Sequence, residues 1–221
     1  MAKPRSYKLL CPIARGLDRI GDRWTLLILR DLHAGPARFT DLQRGLTGIA
    51  ANLLTERLAK LVEDGIIRKT SGPHATTLYE LTDLGHKTQN LIFELAMFGA
   101  QFPPENDIVD PGNLRTVAVT LGAAARRVSA EGLSVSASLI VDGEEMELMA
   151  RDGTASVAYR PASEPDVVLQ TSYAALMALS EGEISEEVFG QDHCRIDVKV
   201  PGRERDLFSL FSLILAVFRE S

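Results

Sequence analysis

The chain has few cysteines and few aromatic residues, which limits what it can be. Its 221 residues include two cysteines, Cys11 and Cys194, and aromatic residues make up 6% of the sequence. Two cysteines cannot build the disulfide framework of a small secreted domain, and no group of Cys and His has the spacing of a zinc site. The four histidines are scattered along the chain. We therefore expect neither a structural metal nor a cofactor.

The motifs that identify membrane proteins and common enzyme classes are also missing. There is no run of 18 apolar residues and no N-terminal signal with a cleavage site. The sequence lacks G-x-S-x-G, a P-loop and G-x-G-x-x-G, and its spacing assembles no nucleophile, base and orienting group. These absences favour a soluble cytoplasmic protein that is not an enzyme and does not bind a membrane.

Charge is divided unevenly along the chain, although the formal total is −6. Residues 1–104 contain 14 Lys and Arg against 10 Asp and Glu, whereas residues 105–221 contain 10 against 20. Only the first part can approach a phosphate backbone favourably, so the division suggests two domains with separate roles. A chain of this length with 45% apolar residues can build one large domain or two small ones.

Residues 39–82 have the pattern of a helix-turn-helix followed by a β-hairpin. Leu54, Leu58 and Leu61 recur at helical spacing before Gly65 ends the helix. Two strands are predicted after it, at residues 66–70 and 77–81, joined by a turn or loop at residues 71–74. This order predicts a winged helix-turn-helix, a module that reads DNA. The same pattern also fits a small α+β core that binds no nucleic acid.

Three helices are predicted in the segment that leads to the reading helix. Apolar residues recur at helical spacing in residues 12–20, and Gly21 ends that helix. Residues 22–32 are almost entirely apolar in their middle, so we expect this second helix to be central to the core. A third, short helix is predicted at residues 39–46.

Several short motifs give this part of the chain a family resemblance. They are C-P-I at residues 11–13, L-D-R-I-G-D-R-W at 17–24, R-F-T-D-L at 38–42, L-T-E-R-L at 54–58, L-V-E-D-G at 61–65 and Y-E-L-T at 79–82. In this order and spacing they resemble the HxlR-type winged helix-turn-helix regulators of bacteria, over about residues 8–102. The resemblance implies a DNA-binding transcriptional regulator. It also implies a homodimer that pairs through the N-terminal segment and the helix after the wing.

The reading helix, at about residues 50–64, turns its leucines inward and leaves polar side chains outward. Asn52 can make hydrogen bonds to adenine, and Glu56 can accept a hydrogen bond from cytosine. Basic residues outside this helix are better placed to contact phosphates. The residues expected to contact DNA are Arg38, Thr40, Ala50, Asn52, Thr55, Glu56, Arg57, Lys60, Arg68, Lys69 and His74. The family usually has Ser at the position of Ala50 and Lys at that of Asn52. The operator sequence of this chain therefore cannot be inferred from the family.

A helix is predicted after the wing, capped by Thr82 or Asp83. Its apolar stripe consists of Leu84, Leu91, Leu95, Phe98 and Phe102. We expect this stripe to form the dimer seam, because two-fold pairing doubles the DNA site. The alternative is that the stripe packs against its own domain.

Cys11 allows two interpretations. Some of the proteins that this segment resembles use a cysteine at this position as a sensor of oxidants or electrophiles, and Lys8 and Arg15 would favour a reactive thiolate. The alternative, which we favour, is a small apolar residue packed at the dimer seam.

The polar, proline-containing stretch after residue 102 predicts a domain boundary. We expect a winged-helix DNA-binding and dimerisation domain at residues 1–104, a linker at 105–113 and a second domain at 114–221. The second domain should begin with a helix at residues 114–130. A three-stranded antiparallel meander with turns at Asp142 and Asp152 follows, and a strand, two helices, a strand and an apolar last helix complete the domain.

The order of these later elements resembles the sterol carrier protein fold, over about residues 114–219. The resemblance implies an α+β domain with an antiparallel sheet and a tunnel between sheet and helices that holds lipid-like molecules. The apolar helix at residues 207–218 is either wholly buried or lines such a cavity. The side chains expected to line a cavity of a few hundred Å³ are Met146, Leu148, Val157, Tyr159, Leu176, Leu179, Phe208, Phe211 and Leu215.

The sequence therefore predicts a two-domain transcriptional regulator that acts on double-stranded DNA as a homodimer. An apolar small molecule bound in the second domain could modulate it. The alternative from another class is a lipid-binding or carrier protein in which the winged helix serves mainly for dimerisation.

Overall fold

The computed structural model describes residues 6–102 and 114–219, which fall into two compact units, Met1–Ile92 and Phe93–Ser221. Both units combine helices with strands, as the α+β prediction requires. The predicted linker at residues 105–113 lies outside the described residues. None of the described helices combines the length and the hydrophobicity that crossing a bilayer requires.

The first unit contains the predicted winged helix-turn-helix. Its elements are α1 (Pro12–Ile20), α2 (Thr25–His33), α3 (Phe39–Gly45), α4 (Ala51–Glu63), β1 (Ile67–Ser71), β2 (Thr77–Leu81), α5 (Asp83–His86) and α6 (Gln89–Ala100). The last of these helices begins in the first unit and ends in the second. Up to the wing, this order of elements confirms the prediction made from hydrophobic spacing.

Three leucines hold α4, the reading helix, against the core. Leu54, Leu58 and Leu61 are at most 1% exposed and belong to the same buried cluster as Ile28 and Leu32 of α2. Burial of each such side chain contributes about 1.5–3 kcal/mol. Because the three leucines share one helix face, the opposite face of α4 lies in solvent.

The wing is an antiparallel ribbon of β1 and β2. Ala37, just before α3, exchanges two backbone hydrogen bonds with Tyr79 and so extends the ribbon by a short third segment. The connection between the strands contains a short 3-10 helix, in which His74 and Ala75 both have positive φ. The predicted turn or loop therefore contains a short 3-10 helix, Pro73–Ala75.

After the wing the chain forms two helices where the sequence predicted one. The Thr82 hydroxyl caps α5 by accepting a hydrogen bond from Gly85 N at 3.2 Å. Gly85 packs so closely that an added Cβ would lie 2.3 Å from the carbonyl oxygen of Ile66. The Thr88 hydroxyl then donates to the carbonyl oxygen of Gly85 at 2.7 Å, and α6 begins at the next residue. A local side-chain bond to the backbone thus marks the break between α5 and α6.

The second unit is a five-stranded sheet with helices. Its elements after α6 are α7 (Arg115–Ala125), β3 (Val135–Val141), β4 (Glu144–Arg151), β5 (Thr154–Ala158), β6 (Val167–Thr171), α8 (Tyr173–Ser180), α9 (Glu186–Val188), β7 (Cys194–Val198) and α10 (Arg203–Arg219). The strand order is β5-β4-β3-β6-β7. The predicted meander corresponds to β3, β4 and β5, which pair antiparallel.

The prediction of an antiparallel sheet is correct for three of the four strand pairs and wrong for the fourth, because β6 runs parallel to β3. After β5 the chain returns to the beginning of β3, where Asp166 N donates to Ser136 O at 2.7 Å. A strand that starts beside the start of its neighbour must run in the same direction. The final strand, β7, then pairs antiparallel with β6.

Apolar residues from the sheet and the helices form one buried cluster in this unit. Leu139 and Leu148 of the sheet are at most 1% exposed, and Ile214 of α10 is fully buried. The approach of α7 to β5 is so close that a Cβ on Gly122 would lie 2.8 Å from the carbonyl oxygen of Val157. Glycine is therefore required at this contact.

The last helix, α10, is not covered on every side as its composition suggested. Leu207, Leu210 and Ile214 are at most 1% exposed, but Ser209 is exposed and Leu213 is 39% exposed. A helix with one buried face and one exposed face packs as an ordinary amphipathic helix, even though its exposed face carries a leucine.

Candidate nucleic-acid interface

The start of α4 lacks a capping side chain. Ala50 occupies the N-cap position with extended backbone, and its methyl group cannot accept a hydrogen bond. Asn52 compensates in part, because its Oδ1 accepts a hydrogen bond from Leu53 N at 2.9 Å. The absence of a Ser at the position of Ala50 therefore leaves the first turn of α4 with an incompletely satisfied backbone.

The solvent face of α4 carries mostly small side chains. Ala51, Asn52, Thr55, Glu56 and Ala59 are all exposed. The hydroxyl of Thr55 donates to the carbonyl oxygen of Ala51 at 2.8 Å. Small residues beside an amide and a hydroxyl allow a helix to approach base edges in a major groove.

Several predicted phosphate contacts are exposed and carry no ion pair. Arg38, Lys69 and His74 are exposed, as is Thr40 at the start of α3. Within residues 6–102 no carboxylate lies at ion-pair distance from Arg38 or Lys69; the Lys69 ammonium lies 5.8 Å from the centre of the Tyr79 ring. Their positive charge is therefore available to an external anion.

Other predicted contacts are engaged within the unit. The Arg57 guanidinium lies 3.1 Å from both Glu56 Oε1 and Asp22 Oδ1. Arg68 Nε lies 2.6 Å from Glu80 Oε1 across the wing. Each of these arginines already has a carboxylate partner, so its charge is at least partly compensated.

Lys60 has two carboxylate partners at the end of the reading helix. Its Nζ lies 3.1 Å from both Glu63 Oε2 and Asp64 Oδ1. The hydrogen bond to Glu63, followed by the one to Asp64, raises the pKa of Lys60 above its usual value. Asp64, whose side chain is 9% exposed, also accepts from Arg19 Nη1 at 2.9 Å. Lys60 therefore stays protonated but is not an isolated cation.

Four residues in this region were not predicted from the sequence. Arg23, Arg44 and Ala59 are exposed, and Asp22 forms an ion pair with Arg57. Helical spacing alone could have found Ala59, since it follows Thr55 by one turn on the same face. No spacing signal pointed to the pairing of Asp22 with Arg57.

The residues predicted for the dimer seam are exposed in the single chain. Leu84, Leu91, Leu95, Phe98 and Phe102 are 51%, 48%, 46%, 63% and 60% exposed. In the N-terminal segment, Leu10 is 97% exposed and Ile13 is 74% exposed, beside the exposed thiol of Cys11. They are therefore apolar side chains that the described part of the chain leaves uncovered, and the dimer seam stays a prediction.

The nine side chains predicted to line an apolar cavity belong to the second unit. Seven of them, Met146, Leu148, Val157, Leu176, Leu179, Phe211 and Leu215, are buried in its apolar cluster, and Tyr159 and Phe208 are half-buried. A cavity of about 390 Å³ in the same unit is lined by other residues, among them Phe93, Met97 and Arg127. The apolar pocket at the nine side chains stays a prediction.

Comparison with known proteins relates the first part of the chain to bacterial regulators. Residues 19–107 match the family described as HxlR-like helix-turn-helix. An uncharacterized HTH-type transcriptional regulator of Mycobacterium bovis is 38% identical over 95 residues, which are 42% of this chain and 59% of that protein. The regulator YtfH of Escherichia coli, also uncharacterized, is 33% identical over 90 residues, 39% of this chain and 70% of that protein.

The chain thus spans about three fifths of the length of the mycobacterial relative. Among solved structures, the reduced form of the transcriptional regulator YodB from B. subtilis is similar over 45% of this chain and 100% of that chain, with 28% identity and a TM-score of 0.38. The curated relatives of this part of the chain are transcriptional regulators, which supports the expectation of a regulator rather than an enzyme.

Proposed function

The chain belongs to the HxlR-like helix-turn-helix family, and from this premise we propose that it binds duplex DNA as a cytoplasmic homodimer and so regulates transcription. The observation that carries the proposal is the solvent face of α4, where Asn52 and Thr55 are exposed beside small residues. An amide at this position can make two hydrogen bonds to adenine.

Exposed cations around α4 support the same function. Arg38 and Lys69 have no carboxylate partner among the described residues of the first unit, so they can neutralise phosphates. Each neutralised phosphate releases counterions and strengthens binding without reading sequence. Base contacts from α4 and phosphate contacts from the wing would then combine in one module.

Homodimer formation is the second part of the proposal. Leu91, Leu95 and Phe98 follow one face of α6 at helical spacing, and each is at least 46% exposed. Burying such a stripe against its copy removes apolar surface from water, at about 25 cal/mol per Å². Two-fold pairing presents two reading helices to two half-sites.

The test of this function is binding to duplex DNA by fluorescence anisotropy, using the DNA upstream of the protein's own coding sequence and a shuffled duplex of equal length. We expect tighter binding to the upstream duplex and a steep loss of affinity with salt. If neither duplex binds, the protein is not a DNA-binding regulator.

A second candidate function is binding of an apolar small molecule by the second unit. It is supported by the large apolar cluster between the sheet and α10, the position at which the resemblance to sterol carrier proteins implies a ligand. Because seven of the nine expected side chains are buried there, binding requires the cluster to open. Such a ligand changes DNA affinity only if it prefers one state of the protein.

The two candidates respond differently to one pair of measurements. Fatty acids and sterol-like compounds are added while the melting temperature and the affinity for DNA are followed. A thermal shift without any DNA binding by the protein would favour a lipid-binding protein in which the winged helix only dimerises. The absence of a shift with every compound would remove the ligand-binding candidate.

A further inference from the structure

Asp22, in the turn before α2, uses its carboxylate to accept hydrogen bonds at the start of that helix. Its Oδ1 accepts hydrogen bonds from Trp24 N at 3.0 Å and Thr25 N at 3.1 Å, and its Oδ2 accepts from the Thr25 hydroxyl. Thr25 is 1% exposed, so the side chain that holds the carboxylate is itself fixed in the core. A negative charge at a helix N-terminus is also favourable.

The same carboxylate reaches the middle of the reading helix. Asp22 Oδ1 lies 3.1 Å from Arg57 Nε, although the direction of the N–H is too poor for a hydrogen bond. The side chain of Arg57 is 27% exposed and its Nε is fully buried. A guanidinium held this way against a fixed acceptor restrains α4 about its own axis.

A second carboxylate restrains the end of α4. Asp64 accepts from Arg19 Nη1 at 2.9 Å and lies 3.1 Å from Lys60 Nζ. Arg19 belongs to α1 and Asp64 follows the last residue of α4. The reading helix is therefore tied to α1 at one end and to the start of α2 at its middle, in addition to its buried leucines.

We propose that Asp22 is a positioning residue for DNA recognition, and that Arg57 is its partner rather than a phosphate contact. This inference rests on the proposed DNA-binding function. Hydrogen bonds to base edges require the donor to be held within about 0.5 Å of its productive position. By fixing the rotation of α4 through Arg57, Asp22 keeps Asn52 and Thr55 aimed outward.

The proposal separates two effects that a DNA-binding experiment can measure. Loss of a positioning residue lowers the affinity for the selected sequence and does not change the affinity for random DNA, because only base contacts depend on the rotation of α4. A phosphate contact affects both DNAs and contributes about 0.9 to the slope of log affinity against log salt.

The test compares Asp22→Asn, Arg57→Gln and the double variant with the wild type, by anisotropy over a salt series. The probes are a duplex that the wild type selects from a random pool and a shuffled duplex. Asn at position 22 keeps an oxygen for the backbone N–H groups of residues 24 and 25 but loses the charge that faces Arg57. Asp83→Asn, at an exposed site on α5, removes the same charge elsewhere and serves as the control.

We expect each single variant to bind the selected duplex about tenfold more weakly, with unchanged affinity for the shuffled duplex and an unchanged salt slope. The double variant should be no weaker than either single variant, because both remove one interaction. The control should not change the ratio of the two affinities.

Three results would overturn the proposal. In the first, Arg57→Gln lowers the salt slope by about one and weakens binding to both duplexes. Asp22→Asn then tightens binding, because it frees the arginine. In the second, Asp22→Asn weakens binding to both duplexes equally and lowers the melting temperature of the protein, which would mean that the residue matters only for folding. If the wild type binds neither duplex, the proposed function fails and this inference fails with it.

Discussion

Arg68 and Glu80 form an ion pair across the two strands of the wing, with 2.6 Å between Arg68 Nε and Glu80 Oε1. The adjacent Lys69 has no carboxylate partner within residues 6–102 and faces the ring of Tyr79 instead. Two neighbouring basic residues that look equivalent in the sequence therefore differ in available charge. An exposed ion pair contributes little to stability, but it does compete with an external phosphate.

The first prediction concerns these two residues. Lys69→Ala should lower the salt slope of DNA binding by about one, because it removes an unpaired cation. Arg68→Ala should lower it less, since Glu80 already compensates that charge. The measurement is DNA affinity between low and physiological salt. Equal reductions in slope would mean that the wing ion pair opens when DNA binds.

The second prediction concerns base readout by α4. Asn52→Ala should weaken binding to a selected duplex by about 1–3 kcal/mol and leave binding to a shuffled duplex unchanged. Thr55→Ala should act in the same direction but less strongly, because an amide can make two hydrogen bonds to one base and a single hydroxyl cannot hold a base edge in this bidentate way. Equal losses on both duplexes would show that this face of α4 does not read sequence.

The third prediction concerns the uncapped start of the reading helix. Ala50→Ser should stabilise the first unit by about 1 kcal/mol, because a serine at the N-cap accepts a hydrogen bond from the first turn. Ala51→Ser is the matched control, since it lies inside the helix and cannot cap it. Urea unfolding of both variants provides the measurement. A gain from the control equal to that from Ala50→Ser would contradict capping as the cause.

The fourth prediction concerns the stripe on α6. Leu95→Asp should convert a dimer to monomers in sedimentation equilibrium, because a carboxylate buried without a partner at the seam is strongly unfavourable. Leu213→Asp on α10 is the control, as that leucine is similarly exposed at 39% against 46% for Leu95. A wild type that sediments as a monomer would contradict the proposed homodimer, whereas a mutant that stays dimeric would place the interface elsewhere.

The fifth prediction distinguishes the two cysteines. Burial raises the pKa of the Cys194 thiol above its usual value of 9.0, so a smaller fraction is thiolate at pH 8. Cys11 is exposed at the start of α1. Iodoacetamide should therefore label Cys11 first, as mass spectrometry of brief reactions would show, and labelling of Cys194 should accelerate at higher pH. Protection of Cys11 at concentrations that favour the dimer would place it at the seam.

Local sequence patterns were sufficient to predict most elements of the first unit. The spacing of Leu54, Leu58 and Leu61 predicted a helix with one buried face, and all three are buried. Gly65 was correctly placed at its end, where φ is +68°. These predictions depend on interactions within one or two turns of chain, and such interactions are encoded in adjacent residues.

Patterns of this kind did not predict features that depend on distant parts of the chain. Apolar patterns identified each strand of the second unit, but they carry no information on the direction of β6, which the return of the chain to Ser136 decides. The break between α5 and α6 depends in the same way on the close approach of Gly85 to Ile66.

The sequence by itself determined that the first unit has a helix-turn-helix, a β-hairpin and a basic balance of charge, because periodicity and charge are local properties. Only the tertiary structure decided which basic side chains remain available. Asp22 and Arg57 are 35 positions apart in the sequence, and they meet because the buried faces of α2 and α4 pack in one core. That packing compensates Arg57, whereas Lys69, in the wing, is exposed and has no ion pair with the described residues of the first unit. No spacing rule contains this difference.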